Sequence, residues 1–186
     1  MKNKAFHIDR YTFTEKDILL FDANIWCFIY GRQDPTDWRI RIYSKALANA
    51  LKAKSRILID VLVLSEFINR YSRIEHTIAK ASGGANDFKS FRKSPKFKTV
   101  VVDIVAASRR ILKHCERTGS GFELLDIDLL LSDHQTKCPD FNDQVLAAAC
   151  KANSLKLVTH DGDFNDCGLT VLTAHPDLLA RKKTIK

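Results

Sequence analysis

Short apolar runs, each cut off by a polar or acidic residue, recur along this chain with helix-length stretches between them. Ile18-Leu19-Leu20-Phe21 stops at Asp22, and Ile57-Leu58-Ile59 stops at Asp60. Phe122-Glu123-Leu124-Leu125-Asp126 is a third strand candidate, Lys156-Leu157-Val158-Thr159 a fourth, and Leu169-Thr170-Val171-Leu172 a fifth. Runs this short and this apolar suit strands buried on both faces, as in a parallel sheet. Between them the spacing predicts helices. One covers 24–30. A second, capped by Thr36 or Asp37 and running to 52, carries Ile40, Tyr43, Leu47 and Leu51 on one face. A third covers 63–73, with Leu64, Phe67, Ile68 and Tyr71 on one side. A fourth covers 100–117 and ends at Gly119-Ser120-Gly121. An Ala-rich helix covers 140–152, and residues 1–17 read as irregular. Strands alternating with helices imply a parallel α/β sheet with right-handed crossovers.

With 186 residues the chain is expected to form one domain, 1–186, with a core over 18–172. Nowhere do 18 apolar residues run together, so no membrane span is expected. The basic N-terminus has no apolar stretch behind it, which argues against a secretory signal. The five cysteines (Cys27, Cys115, Cys138, Cys150 and Cys167) are odd in number and lack C-x-x-C spacing. They read as ordinary thiols in a reducing cytoplasm, and Cys138 is weighed as a nucleophile only because it precedes the acidic helix. Thirty Lys and Arg against 22 Asp and Glu give a formal charge of +8. That balance suits a polyanionic partner, or serves solubility alone. A basic connection is expected over 74–98. Within it Lys89, Arg92, Lys93, Lys96 and Lys98 interleave with Phe88, Phe91 and Phe97. That composition suits holding phosphates and stacking bases, or equally a solvated helix with an apolar face. The basic tail 181–186 is expected to fray.

The acids carry the chemical signal. In open parallel sheets, sites form outside the carboxyl ends of the strands. Asp22 follows the first strand, Glu66 lies early in the helix after the second, Asp140 and Asp143 open the Ala-rich helix, and Asp161 and Asp163 follow Thr159 closely. Right-handed crossovers bring these positions to one edge, where convergent carboxylates repel one another unless a hard divalent cation offsets them. Each acid alone also has a structural use: Asp140 with Asp143 matches an N-cap with an acid at N3, and Asp161-Gly162-Asp163 matches an acidic turn. His134 and His160 lie near the acids but read as surface histidines, and alternation points His160 away from the site. Trp26 and Trp38 suit the core or a dimer interface better than base stacking.

These segments resemble the PIN-domain family of metal-dependent nucleases. Leu20-Phe21-Asp22-Ala23-Asn24 is similar to its first motif, Leu64-Ser65-Glu66-Phe67 to its second, Asp140-Phe141-Asn142-Asp143 with the following alanines to its third, and Leu157-Val158-Thr159-His160-Asp161-Gly162-Asp163-Phe164 to its fourth. The resemblance implies a three-layer α/β/α fold around a central, mostly parallel sheet, and RNA hydrolysis with Mg²⁺ or Mn²⁺. It implies Asp22, Glu66, Asp143 and Asp161 as catalytic metal ligands, with Asp163 and Asp140 as auxiliaries. Asn24, Ser65 and Thr159 would orient the acids or a bound water. Many small members are VapC-type toxin ribonucleases, usually dimeric and held inactive by an antitoxin, so an antitoxin and a homodimer are expected partners. Segments 1–17 and 74–98 depart from that small type. Two alternatives stand beside this reading: a non-catalytic RNA-binding module of the same fold, and a metal-dependent phosphohydrolase acting on small phosphates.

Overall fold

The computed structural model describes residues 2–32, 34, 36–119, 121–137 and 140–180. Six parallel strands form one sheet: β1 (Lys4–His7), β2 (Ile18–Phe21), β3 (Arg56–Ile59), β4 (Glu116–Arg117), β5 (Lys156–Val158) and β6 (Thr170–Thr173), in the order β1-β6-β5-β2-β3-β4. Eight α-helices are described: α1 (Ala23–Tyr30), α2 (Trp38–Lys52), α3 (Val61–Ala81), α4 (Phe88–Lys93), α5 (Pro95–His114), α6 (Ile127–Lys137), α7 (Phe141–Ala152) and α8 (Pro176–Leu179). Right-handed crossovers put α1 to α5 against one face and α6 with α7 against the other. The packing agrees. Helix α1 touches α2, α3 and α5, whereas α7 touches α6 and the Gly162–Phe164 turn. The three-layer architecture around a parallel sheet is as expected.

The central strands follow from their burial. Leu19, Leu20, Phe21, Leu157 and Val158 are essentially inaccessible to solvent, as runs without polar alternation require. Strand order then fixes where a crevice opens. From β2 the chain moves on to β3, and from β5 it moves on to β6, in opposite directions. β2 and β5 are neighbours, in register at Leu20 and Leu157, so their carboxyl ends flank the switch point where open sheets form sites.

Four local expectations need correction. Residues 1–17 are not wholly irregular, because Lys4–His7 pairs with β6 as an edge strand. The run at 122–126 is not a strand. Phe122–Leu124 is a 3-10 turn entered from Gly121 at φ 64°, and Leu124 is 83% exposed. The sheet edge beside β3 is taken instead by the two exposed residues of β4, because α5 ends at His114 rather than at 117. Finally, the stretch 74–98 is mostly helical rather than an open connection. α3 runs to Ala81, with Ser72, Glu75 and Ala79 on its buried stripe, and Arg32 pairs with the buried Glu75 at 3.2 Å. Ser94 then caps α5, accepting from the Phe97 amide, with Pro95 in its first turn.

At the amino end of the sheet, the buried Asp17 accepts from the Tyr11 hydroxyl at 2.9 Å, the Thr14 amide at 2.7 Å and the Lys156 ammonium of β5. This ties the β1–β2 segment to the middle of the sheet. Cys138 and the tail 181–186 lie outside the described residues. No helix among the described residues is long and apolar enough to cross a membrane.

Candidate active site

Asp22 ends β2 and occupies the N-cap of α1, yet its side chain caps nothing there. It turns instead to β5. Its Oδ2 accepts from the Thr159 hydroxyl at 2.7 Å and from Asn24 Nδ2. Thr159 Oγ1 also accepts from Asn24 Nδ2 at 3.2 Å and from the Asp161 amide at 3.0 Å. Asn24 Oδ1 takes the His160 amide at 3.2 Å. Asn24 and Thr159, both buried, thus lock the end of β2 to the loop after β5. Burial pushes the Asp22 carboxyl up. The Thr159 hydrogen bond opposes this, Glu66 and Asp161 add to it, and the result is about 6.

Three further elements bring acids to the same crevice. Glu66 sits on α3, half-buried, with its carboxylate 3.3 Å from Arg70 one turn on. Burial raises it, Arg70 opposes, and Asp140 and Asp161 add repulsion. Asp140 caps α7, accepting from the Asn142 amide at 2.8 Å and the Asp143 amide at 3.3 Å. Asp143, in the first turn of α7, is raised to about 7 by burial and by Asp22, Asp140, Asp161 and Glu66 in turn. Asp161 accepts from the Asp163 amide at 3.1 Å and opens the Gly162–Phe164 turn. Acids from four segments therefore act together on Asp22, Glu66 and Asp143.

Other expected residues fall outside this group. Asp163 is exposed and exerts no resolved influence on the others, while Ser65 is exposed and makes no hydrogen bond to the acids. Lys89, Arg92, Lys93, Lys96 and Lys98 are all exposed on α4 and the start of α5. Their aromatic companions turn inward: Phe91 is buried, 5.3 Å from both Phe97 and His76, and Phe88 packs on His76 at 5.6 Å. The apolar-face reading holds for these phenylalanines, which leaves the lysines to meet solvent. His76 is ten residues beyond Glu66 on α3, so the basic cluster lies about 15 Å along the helix from the acids. Cys27, near Asp22 and Glu66, is pushed by burial to about 12 and is no nucleophile.

Two features were not read from the sequence. Asp60, one strand over from Asp22, is buried, but it caps α3 through the Leu62 amide at 2.6 Å and is raised by burial alone, so it stands apart from the acid group. The His160 ring packs among Phe28, Trp38, Tyr43 and His175 at 5.0–5.8 Å between centroids, forming an aromatic wall beside Asp161. Only the apolar spacing of α2, with Tyr43 turned inward, hinted at it. Of the two tryptophans, Trp26 is core at 0% exposure and Trp38 is 47% exposed.

Among the described residues no three His, Cys, Asp or Glu side chains close tightly enough to cage an ion. The donor set nevertheless fits a hard divalent cation: it is all oxygen, gathered against its own repulsion, with Asp22 and Asp143 displaced upward together. Two surface cavities, of about 590 and 410 Å³, lie elsewhere and are lined by none of these acids.

Comparison with known proteins points the same way. The family model of the PIN domain matches residues 19–168. No curated protein matches the chain significantly. Among solved structures, the fold is similar to the crystal structure of VapBC2 from Rickettsia felis bound to a DNA fragment from their promoter. The TM-score is 0.50 at 15% identity, over 84% of this chain and 98% of that one. At that identity the likeness is one of fold.

Proposed function

The chain belongs to the PIN domain family, whose members are nucleases, and from that premise we propose that it is a ribonuclease that hydrolyses RNA phosphodiesters with Mg²⁺ or Mn²⁺. The observation that carries this reading is the convergence of Asp22, Glu66, Asp143 and Asp161 from the end of β2, α3, α7 and the loop after β5, with Asp22, Glu66 and Asp143 each raised by burial and by acidic neighbours. A fold gathers carboxylates in this way at a cost, offset at Glu66 by Arg70, and a bound cation turns that cost into affinity. In this reading those four acids hold the metal, and Asp140 and Asp163 stand at the rim. A divalent cation, were these acids to hold one, would supply an activated water and charge neutralisation at the phosphate. Asn24 and Thr159 fix the direction of Asp22, so its oxygens need not reorganise when the ion enters. The excess of Lys and Arg elsewhere on the chain draws the RNA backbone in.

The likeness to VapBC2 supports a biological setting for this activity: the toxin half of a toxin–antitoxin pair, cytoplasmic, paired with an antitoxin and with a second copy of itself. Induced expression is then expected to arrest growth, and expression of the Asp143→Asn protein is not.

The direct test is incubation of end-labelled single-stranded RNA with the purified protein and Mn²⁺, beside Asp143→Asn and a chelated control. Cutting by the wild type alone supports the reading. RNA binding without cutting by the wild type would favour the non-catalytic module. Turnover of small phosphate esters with no competition by RNA would favour a phosphohydrolase of another class.

A further inference from the structure

Beside the acids, and outside the metal-binding set, stands the wall formed by Trp38, His160, Tyr43, Phe28 and His175. Its position is fixed from the inside. The His160 amide donates to Asn24, the residue that also holds Asp22. The Tyr43 hydroxyl takes the Ala174 amide at 3.0 Å and meets His160 Nδ1 at 2.8 Å. Phe28 stacks on Tyr43 at 5.8 Å with 11° between the planes. The Arg39 guanidinium lies 4.5 Å over Phe28 and is clamped to Asp37 at 2.8 Å. Tyr43 is fully buried and the others are partly buried, but Trp38 is 47% exposed. Its one ring neighbour among the described residues is His160, met edge-on at 5.7 Å and 72°. A packed backing thus presents one large indole to solvent against His160, the residue that precedes Asp161.

From this we propose that Trp38 is the seat on which a nucleobase of the bound strand stacks while the neighbouring phosphate lies over the acids. The proposal rests on the ribonuclease reading and adds a specificity-determining residue to it. An indole gives a base a broad π-face without demanding a particular sequence. Arg39, paired with the Asp37 carboxylate and laid over Phe28, stiffens the wall without adding net charge to it. Placement along the sheet agrees. The wall stands by β5 and β6, since Tyr43 bonds at Ala174 and His160. The basic residues of α4 ride on α3 and α5, the crossover between β3 and β4. Asp22 and Asp161 lie between, at the ends of β2 and β5, so a single strand crossing them has the indole on one side and, on the other, α3 with the basic residues of α4 about 15 Å further along it. The phenylalanines of α4 offer no such seat, because they are packed inward.

The chain carries its own reporter, since it has two tryptophans and Trp26 is inaccessible. In the Asp143→Asn background, which is expected not to cut, a single-stranded RNA oligonucleotide should quench the indole emission. An abasic chain of equal length and charge should not. Trp38→Ala should raise the Kd for the oligonucleotide about 5- to 100-fold, the range for loss of one stacked base. Trp38→Phe should restore most of the affinity, and melting temperatures of both variants should match the parent. In the cutting-competent protein, Trp38→Ala should raise KM more than it lowers kcat. An unchanged Kd in Trp38→Ala, or equal quenching by the abasic chain, overturns the seat while cutting by the wild type leaves the nuclease standing. If the wild type neither binds nor cuts RNA, the ribonuclease reading fails and the seat falls with it.

Discussion

Thr159 uses its whole hydrogen-bonding capacity on the crevice, giving its one proton to Asp22 and accepting from Asn24 and the Asp161 amide. Thr159→Val keeps the shape and removes all three bonds. Cleavage is expected to fall about 10- to 100-fold, the usual loss when an outer partner of a metal ligand is removed. A steady-state comparison of kcat/KM would show it. Asp143, like Asp22, is raised chiefly by burial. Its carboxylate gains nothing from its neighbours, and burial with four acids raises it to about 7. A carboxyl whose folded value is raised holds its proton longer in the native state, so native stability falls as pH rises from about 4 to 7. Asp143→Asn removes that penalty. Without metal at pH 8 the variant is expected to be more stable than the wild type by about 1 kcal/mol, after allowance for its half-exposed position. The excess should shrink as pH drops toward 4, and thermal melts in EDTA across that range would measure it. The acids were legible because each stands at the end of an apolar run. Trp38 was not, because exposure depends on which neighbours fold over a residue, and its neighbour His160 comes 122 positions later.

At the scale of elements, the central strands and α1, α2 and α7 were legible from continuous burial and clear caps, Asp37 and Asp140 among them. The rest was hidden for identifiable reasons. β1 and β4 are edge strands of four and two residues with little burial to pattern them. α3 was cut short because its buried stripe continues through Ser72 and Glu75, polar residues that break an apolar period. The lock between Lys156 and Asp17 was equally invisible, since neither residue lies near the other in sequence. Burial pushes Asp17 up, but Lys156, Thr14 and Tyr11 together hold it below the usual carboxylate range. The stability it contributes is therefore present above its unfolded value and lost as pH falls through its lower folded one. Lys156→Met strands the buried carboxylate, at an expected cost of about 2–4 kcal/mol in urea unfolding at pH 7. That cost should diminish in acid.

Taken as a whole, the molecule sets a cluster of carboxylates into a chain of net charge +8. Opposite fields on one surface divide the labour. The basic exterior gathers a polyanion, and the acidic crevice waits for a cation to make that polyanion welcome. Reversing Lys89 and Lys93 to Glu is expected to weaken RNA binding similarly for all sequences and to flatten its salt dependence. Titrations at several ionic strengths would test this, with metal affinity unchanged because α4 lies about 15 Å from Glu66. Everything functional in this picture depends on the crevice taking a divalent ion. Manganese uptake at pH 7.5, read from loss of the free-ion resonance signal on titration with protein, measures that step alone. Saturable uptake by the wild type, at least tenfold weaker in Asp143→Asn, is the expected result. No uptake by the wild type, or equal uptake by both proteins, would contradict it.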